Sequence, residues 1–208
     1  MSSHEGVRSA VRAASGETRT RSKDRREQLL DAADRVIQAR GSGVSMNDIA
    51  AEAGITKPIL YRHFGDKGGL YQALADRYIS MLRERLSTAL LTRGGLRART
   101  RATIDAYLTA IEEQPQVYRF LVQRAAVEDP GVAGEVANFV RRFGDDLAVG
   151  LLAEKQLSGL TKRQAQIRAN AIAGMVQQTG DWWLDRSDVN RAKVVAELSS
   201  LLLDGLLG

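Results

Sequence analysis

Apolar residues recur at intervals of three and four along most of this chain, and nowhere do they alternate with period two for long enough to make a strand. Leu29, Leu30, Ala33, Val36 and Ile37 mark a first helix from about Lys23, which Gly41-Ser42-Gly43 ends. A second and a third helix are short. Asp66 can cap a fourth, whose stripe Leu70, Leu74, Tyr78, Met81 and Leu82 runs to about Leu91, before the Gly94-Gly95 break. Ile104, Tyr107, Leu108 and Ile111 mark a fifth helix, ending before Pro115, and Val117, Phe120, Leu121 and Arg124 a sixth. After the Asp129-Pro130-Gly131 turn, a seventh carries Val136, Phe139, Val140, Phe143, Leu147 and Leu151. Beyond Ser158-Gly159 an eighth runs from Thr161 to about Trp183, with Ile167, Ala171, Ile172, Met175, Val176 and Trp182. A ninth starts near Asp188 and includes Val194, Val195, Leu198, Leu201 and Leu202. The pattern predicts an all-α protein of about nine helices without a solenoid repeat.

The most specific stretch is residues 45–64, SMNDIAAEAGITKPILYRHF. Ser45 can cap a helix, and Asp48 three positions later can complete a capping box. Ile49, Ala50 and Ala53 share its apolar face. Gly54 stands where that helix must stop, since glycine takes the left-handed conformation without a Cβ penalty. Ile55 fills the corner, Thr56 caps the next helix and Pro58 sits in its first turn, where a missing N–H costs nothing. Leu60 and Phe64 point inward, leaving Lys57, Tyr61, Arg62 and His63 outside. Two short helices around a glycine turn, the second with a basic and aromatic outer face, form a helix-turn-helix that reads DNA.

From Asp48 to Leu70 the string D-I-A-x-x-A-G-I-T-x-x-x-L-Y-R-H-F-x-x-K-x-x-L closely resembles the DNA-binding motif of tetracycline-repressor-type (TetR family) regulators. The likeness covers roughly residues 23–83; the rest agrees in length and helical pattern. It implies a three-helix DNA-binding domain over 23–70 and a helical effector-binding and dimerisation domain over 71–208. It places Thr56, Lys57 and Pro58 near base edges, and Tyr61, Arg62, His63 and Lys67 on the outer, DNA-facing surface, with Tyr61 and His63 at phosphate positions. Ser45, Met46 and Asn47 then face the DNA backbone. One departure is Gly68-Gly69 in the first turn of the fourth helix, which should weaken that start by about 1 kcal/mol per glycine relative to alanine and make it easy to reorient.

Charge sharpens this picture. The net charge is +5, and Arg8, Arg12, Arg19, Arg21, Lys23, Arg25 and Arg26 crowd the beginning. Residues 1–22 lack periodicity and read as a flexible basic arm. Alone, such an arm is equally a solvated tail; ahead of a helix-turn-helix it suits phosphates or a minor groove. With no cysteine and two histidines, no metal site or cofactor is expected. No secretory h-region and no spanning apolar run are present, so a cytoplasmic protein without membrane contact is expected. No Walker A, G-x-S-x-G, G-x-G-x-x-G or H-E-x-x-H arrangement points to an enzyme.

The resemblance further implies partners: double-stranded DNA, a second copy of the chain and a small molecule. A homodimer matches inverted-repeat operators, with Met175, Trp183, Val194, Leu198, Leu201 and Leu202 assigned to its interface. The effector pocket is assigned to Tyr107, Phe120, Arg124, Phe139, Phe143, Met175, Gln178 and Trp182, with Gln123, Asn138 and Gln177 as further polar candidates. Core packing is the simpler reading of any one aromatic there. A mostly hydrophobic lining suits an apolar or amphipathic molecule, an acyl or lipid-like chain among them. The expectation is a repressor released by that molecule. The alternatives are an activator of the same fold, a regulator without a ligand, or a non-specific architectural DNA coater.

Overall fold

The computed structural model describes residues 23–186 and 188–207, so the basic arm expected over 1–22 lies outside the described residues. Nine helices and no strand make up that part. Helix α1 spans 23–40, α2 Met46–Glu52, α3 Lys57–Phe64 and α4 Lys67–Leu90. Then come α5 (Gly95–Glu113), α6 over 115–128, α7 (Pro130–Ala153), α8 (Lys162–Leu184) and α9 (Arg191–Leu207).

Local chemistry sets the helix ends. The Ser45 hydroxyl accepts from the Asp48 amide at 3.2 Å, and the Asp48 carboxylate accepts from the Ser45 amide at 2.9 Å, so the capping box forms. Gly54 has φ +65, the left-handed stop its position requires. Thr56 occupies the N-cap of α3 in extended geometry, but its side chain makes no capping hydrogen bond. Asp129 caps α7 through the amides of Gly131 and Val132. Thr161 and Gln164 form a second capping box on α8. Helix α9 begins three residues later than expected because Asn190 accepts from the Lys193 amide at 2.9 Å and so starts the helix there.

The double glycine in α4 corrects the sequence reading. A Cβ on Gly69 would lie 1.9 Å from the Phe64 carbonyl oxygen, and one on Gly68 2.4 Å from a carboxylate oxygen of Asp129. The glycines therefore let α4 start tightly beneath α3 and against the α6–α7 corner. They cost helix propensity, but they serve close packing rather than looseness.

Helix α4 is the axis of the molecule. It packs on α3, α5 and α7, so it is buried on more than the one face foreseen: Tyr71, Ala75, Ile79 and Leu86 join Leu70, Leu74, Tyr78 and Leu82. A single buried cluster runs from Leu29 in α1 to Leu202 in α9, and the division expected between residues 70 and 71 falls inside α4. A smaller cluster closes the end far from the helix-turn-helix, around Leu96, Leu151, Ala165, Ala169 and Leu203.

Two other expectations change here. Val194, Leu198 and Leu202 are buried within the chain, where α9 packs on α5, so they are not available to a second copy. Trp183 is likewise interior, its indole N–H donating to the Val189 carbonyl at 2.7 Å, and Met175 is half-buried against the same core. Of the residues assigned to the dimer, Leu201 is the one large side chain left outward, at 61% exposure.

Candidate DNA interface and interior cavity

The helix-turn-helix presents its polar side chains as the spacing implies. Leu60 and Phe64 are buried, while Thr56, Lys57, Pro58 and Arg62 are exposed and Tyr61 and His63 half-buried. Lys57 lies over the Tyr61 ring at 5.4 Å, which orients its ammonium along the outer face of α3. Ser45 and Asn47 are exposed, while Met46 is buried in the head's core and still borders the cleft between them. Met46 is the first residue of α2, and its side chain belongs to the buried cluster of the head.

Ser45, Met46, Asn47, Lys57, Tyr61 and Lys67 converge on one cleft of about 210 Å³ between the starts of α2, α3 and α4. One further wall is Arg124 from α6, which sequence reasoning placed in the effector pocket instead. Its guanidinium donates to the carbonyls of Ser42 and, at 2.9 Å, Val44, just ahead of α2. It also pairs with Glu128 at 3.0 Å. Glu128 in turn holds Lys67 at 2.5 Å and accepts from the Tyr71 hydroxyl at 3.2 Å. Those contacts, the Lys67 hydrogen bond first, hold the Glu128 carboxyl down at about 2. The joint thus fastens α6 to the first turn of α4 and to the entrance of α2. Its members are spread over more than eighty positions, and no local pattern announces them.

Behind α4 lies an apolar cavity of about 380 Å³ enclosed by α4 to α9. Tyr107, Phe139 and Phe143 line it as assigned, joined by Tyr78, Leu82, Leu86, Ile104, Val136 and Gln177. Five assignments do not hold. Phe120 is fully buried edge-on to Tyr71, with ring centroids 4.9 Å apart, on the head side of the wall. Arg124 belongs to the joint. Met175 packs beside the cavity without lining it. Gln178 and Trp182 lie on the outer face of α8, Trp182 stacked under Arg186 at 4.7 Å. Of the other polar candidates, Gln123 is exposed and Asn138 pairs with Arg141 at the surface.

Three tyrosines mark the cavity end nearest the head. The Tyr118 hydroxyl donates to Asp181 at 2.5 Å and lies 3.2 Å from the Tyr107 hydroxyl. Burial pushes all three phenols, Tyr78, Tyr107 and Tyr118, well above their ordinary range, so they stay protonated. At the other end Arg99 pairs with Glu154, among Leu90, Leu91 and Leu96. Among the described residues, no helix is long and apolar enough to cross a membrane.

Both halves of the chain match known proteins. Residues 29–74 match the model for bacterial regulatory proteins of the tetR family, and residues 85–208 that for a tetracyclin repressor-like C-terminal domain. The HTH-type transcriptional activator FasR of Mycolicibacterium smegmatis is 34% identical over 163 residues, spanning 78% of this chain and 73% of that protein. A TetR-like regulator structure from Rhodococcus sp. RHA1 superposes with a TM-score of 0.69 at 26% identity, covering 88% of this chain and 96% of the other. The structure of AibR in complex with isovaleryl coenzyme A and operator DNA has the same fold, with a TM-score of 0.66 at 21% identity over 85% and 97% of the chains. With the helix-turn-helix in place and both domains matched, this chain belongs to the TetR family of DNA-binding transcriptional regulators.

Proposed function

We propose that this protein is a homodimeric, ligand-controlled regulator that binds an inverted-repeat operator. The observation that carries this reading is the position of α4. One end of that helix contributes Lys67 to the basic cleft, and its middle contributes Tyr78, Leu82 and Leu86 to the cavity wall. A molecule in the cavity therefore presses on the helix that sets the head's attitude. DNA demands about 34–36 Å between successive major grooves on one face, so a small shift of two paired heads changes affinity. Linkage requires that DNA and ligand alter each other's binding by the same factor.

The two copies pair through the outward stripe of α8. Ile167, Ala171, Gly174, Gln178 and Trp182 are all exposed at helical spacing, and Leu201 of α9 is exposed as well. Such a row of apolar and small residues suits a partner helix. The ligand is apolar or amphipathic, as the lining requires. That AibR forms its complex with isovaleryl coenzyme A supports an acyl-type molecule. The 34% identity to FasR, named an activator, favours activation as a second reading beside ligand-released repression.

The decisive experiment is selection of bound genomic fragments with the purified protein, followed by competition against bulk DNA. One preferred inverted repeat, bound by two chains, is the expected result. Equal affinity for all fragments would leave an architectural coater as the better reading.

A further inference from the structure

Arg124 reaches the cleft between the starts of α2, α3 and α4 from outside the head, on α6. A guanidinium has five N–H donors in a rigid fork. Here Nη1 gives its pair to the Ser42 and Val44 carbonyls, and Nε gives its one to Glu128 at 3.0 Å. Nη2 makes no hydrogen bond among the described residues. The buried side-chain nitrogens and oxygens without a partner in that part are on Arg77 and Tyr78, so the Arg124 Nη2 reaches solvent. The side chain as a whole is 25% exposed. Protein atoms therefore hold the fork still and leave two of its donors open.

Those donors belong to a site suited to an anion. Lys57 and Lys67 line the same cleft, and among the described residues Glu128 is the one carboxylate paired with any of the three cations. The cations outnumber it, so a phosphodiester entering the cleft meets an excess of positive charge. The neutral groups divide. The Ser45 hydroxyl already donates to Asp48 at 2.6 Å, whereas the Tyr61 hydroxyl and the Asn47 amide make no side-chain hydrogen bond among the described residues. The cleft, at about 210 Å³, has room for several groups of water size, each about 30 Å³, which suits a phosphate with its oxygens.

We infer that Arg124 is a ligand of the DNA backbone: one phosphate is held jointly by Lys67 and Tyr61 of the head and by Nη2 of Arg124 from the body. This rests on the reading of the cleft as the DNA face, and it adds a contact from outside the helix-turn-helix. Leu121 and Val122, in the same π-helical turn, line the cavity. The position of the cavity wall then decides whether that phosphate keeps its third partner. Such a contact positions the protein on DNA and carries no sequence information.

The test compares the full-length parent with Arg124→Gln and Lys67→Ala on the site recovered by fragment selection and on an unrelated duplex. Arg124→Gln should lower affinity about tenfold for both DNAs, the loss of a hydrogen bond between charged groups. It should also reduce the slope of log K against log salt by roughly one per bound chain. Bracing of Ser42 and Val44 alone would change affinity without changing that slope. Methylphosphonate links then neutralise the phosphates of the recovered site one at a time. The link that costs the parent affinity, and no longer matters to Lys67→Ala, should cease to matter to Arg124→Gln as well. A full salt slope in Arg124→Gln, or a methylphosphonate pattern unlike that of Lys67→Ala, would overturn the inference and leave the DNA face intact. If Lys67→Ala also kept the parent's slope and pattern, the reading of the cleft would fall and this inference with it. Should Arg124→Gln not fold, the parent decides. An arginine-selective dicarbonyl should modify Arg124 in the free chain, and DNA should protect it, less so where the shared phosphate is a methylphosphonate. An Arg124 that is unreactive in the free chain, or equally reactive with DNA present, would overturn the inference.

Discussion

The head and the body of this molecule solve opposite problems with the same helices. In the head, Leu29, Leu30, Ile37, Ile49, Leu60 and Leu70 are at most 1% exposed and fill the space between four helix segments. Its working groups lie outside, on a surface whose shape the caps and the Gly54 turn dictate. In the body, the space between α4 and α9 is left partly empty, and Tyr107, Tyr118 and Gln177 border that space from within. A solid core fixes the angle of a reading helix; a hollow one gives up packing contacts to keep room for another molecule. The difference shows why one region announces its chemistry through local motifs and the other through a void.

The contrast can be broken first at α9. Leu198 is 5% exposed and Leu201 61%. Leu198→Glu would bury an unpaired charge, a change of about 3–5 kcal/mol, and should abolish a cooperative melt followed by circular dichroism. Leu201→Glu should keep its helicity and shift sedimentation toward monomers. If Leu198→Glu melted like the parent, the packing of α9 on α5 would be wrong.

Next in size is Gly69→Ala, which sets a Cβ against the Phe64 carbonyl. It should cost about 1–3 kcal/mol through overpacking, against a gain expected from helix propensity alone. A stabilised variant would restore the flexible-start reading. Lys57→Ala should cost a similar 1–3 kcal/mol on the preferred DNA site and relax preference at one position in each half-site. An unchanged specificity profile in a binding-site selection would remove Lys57 from base reading.

Smaller effects probe the joint. Lys67→Ala should lower affinity for all sequences and reduce the slope of log K against log salt by roughly one. Glu128→Gln should do the reverse, because the carboxylate 2.5 Å from Lys67 competes with phosphate for the same ammonium. Identical salt slopes in all three proteins would separate Lys67 from the DNA backbone.

The smallest effect is a pH dependence in the head. Burial raises the Asp34 carboxyl to about 6, despite the Arg77 guanidinium 3.4 Å away. The folded state thus favours the protonated form. The stabilisation is fully present below the ordinary value near 3.8 and is lost as pH rises through about 6. Asp34→Asn should flatten the melting temperature between pH 4 and 7. An unaltered slope would show that other carboxylates set it.

How much of this was legible in the chain follows from the same contrast. Ser45, Asp48, Gly54 and Pro58 act within a few residues of themselves, so their spacing alone foretold the caps, the turn and the exposed side of α3. That Met46 would border the cleft while largely buried was not legible, because a helix's first residue obeys tertiary packing before periodicity. In the body, the helices were readable but their rotation was not. Leu198 and Leu201 look equivalent as letters, yet α5 covers only the first. Trp182 and Trp183 are neighbours on α8, one outside and one inside. Arg124 looked like a pocket cation because its helix borders the pocket; its partners, the Ser42 and Val44 carbonyls, lie eighty positions away. Tyr78 was placed in the stripe of α4, but that its hydroxyl oxygen is buried without a hydrogen-bond partner is a property of the assembled core.

One stretch of α6 ties the two regions mechanically. Phe120–Ala125 is π-helical, so its turn holds one residue more than an α-turn. Leu121 and Val122 on that turn touch the cavity, while Arg124 on the same turn and Glu128 one turn later grip the head. Relaxing the extra residue into an α-helix would advance whatever follows by about 1.5 Å and rotate it by about 100°. Wall and grip cannot both keep their places through that step. Were a molecule in the cavity to drive that step, the segment would act as a ratchet with a single tooth, passing a push to the DNA-reading end as a click of one residue rather than a graded lean.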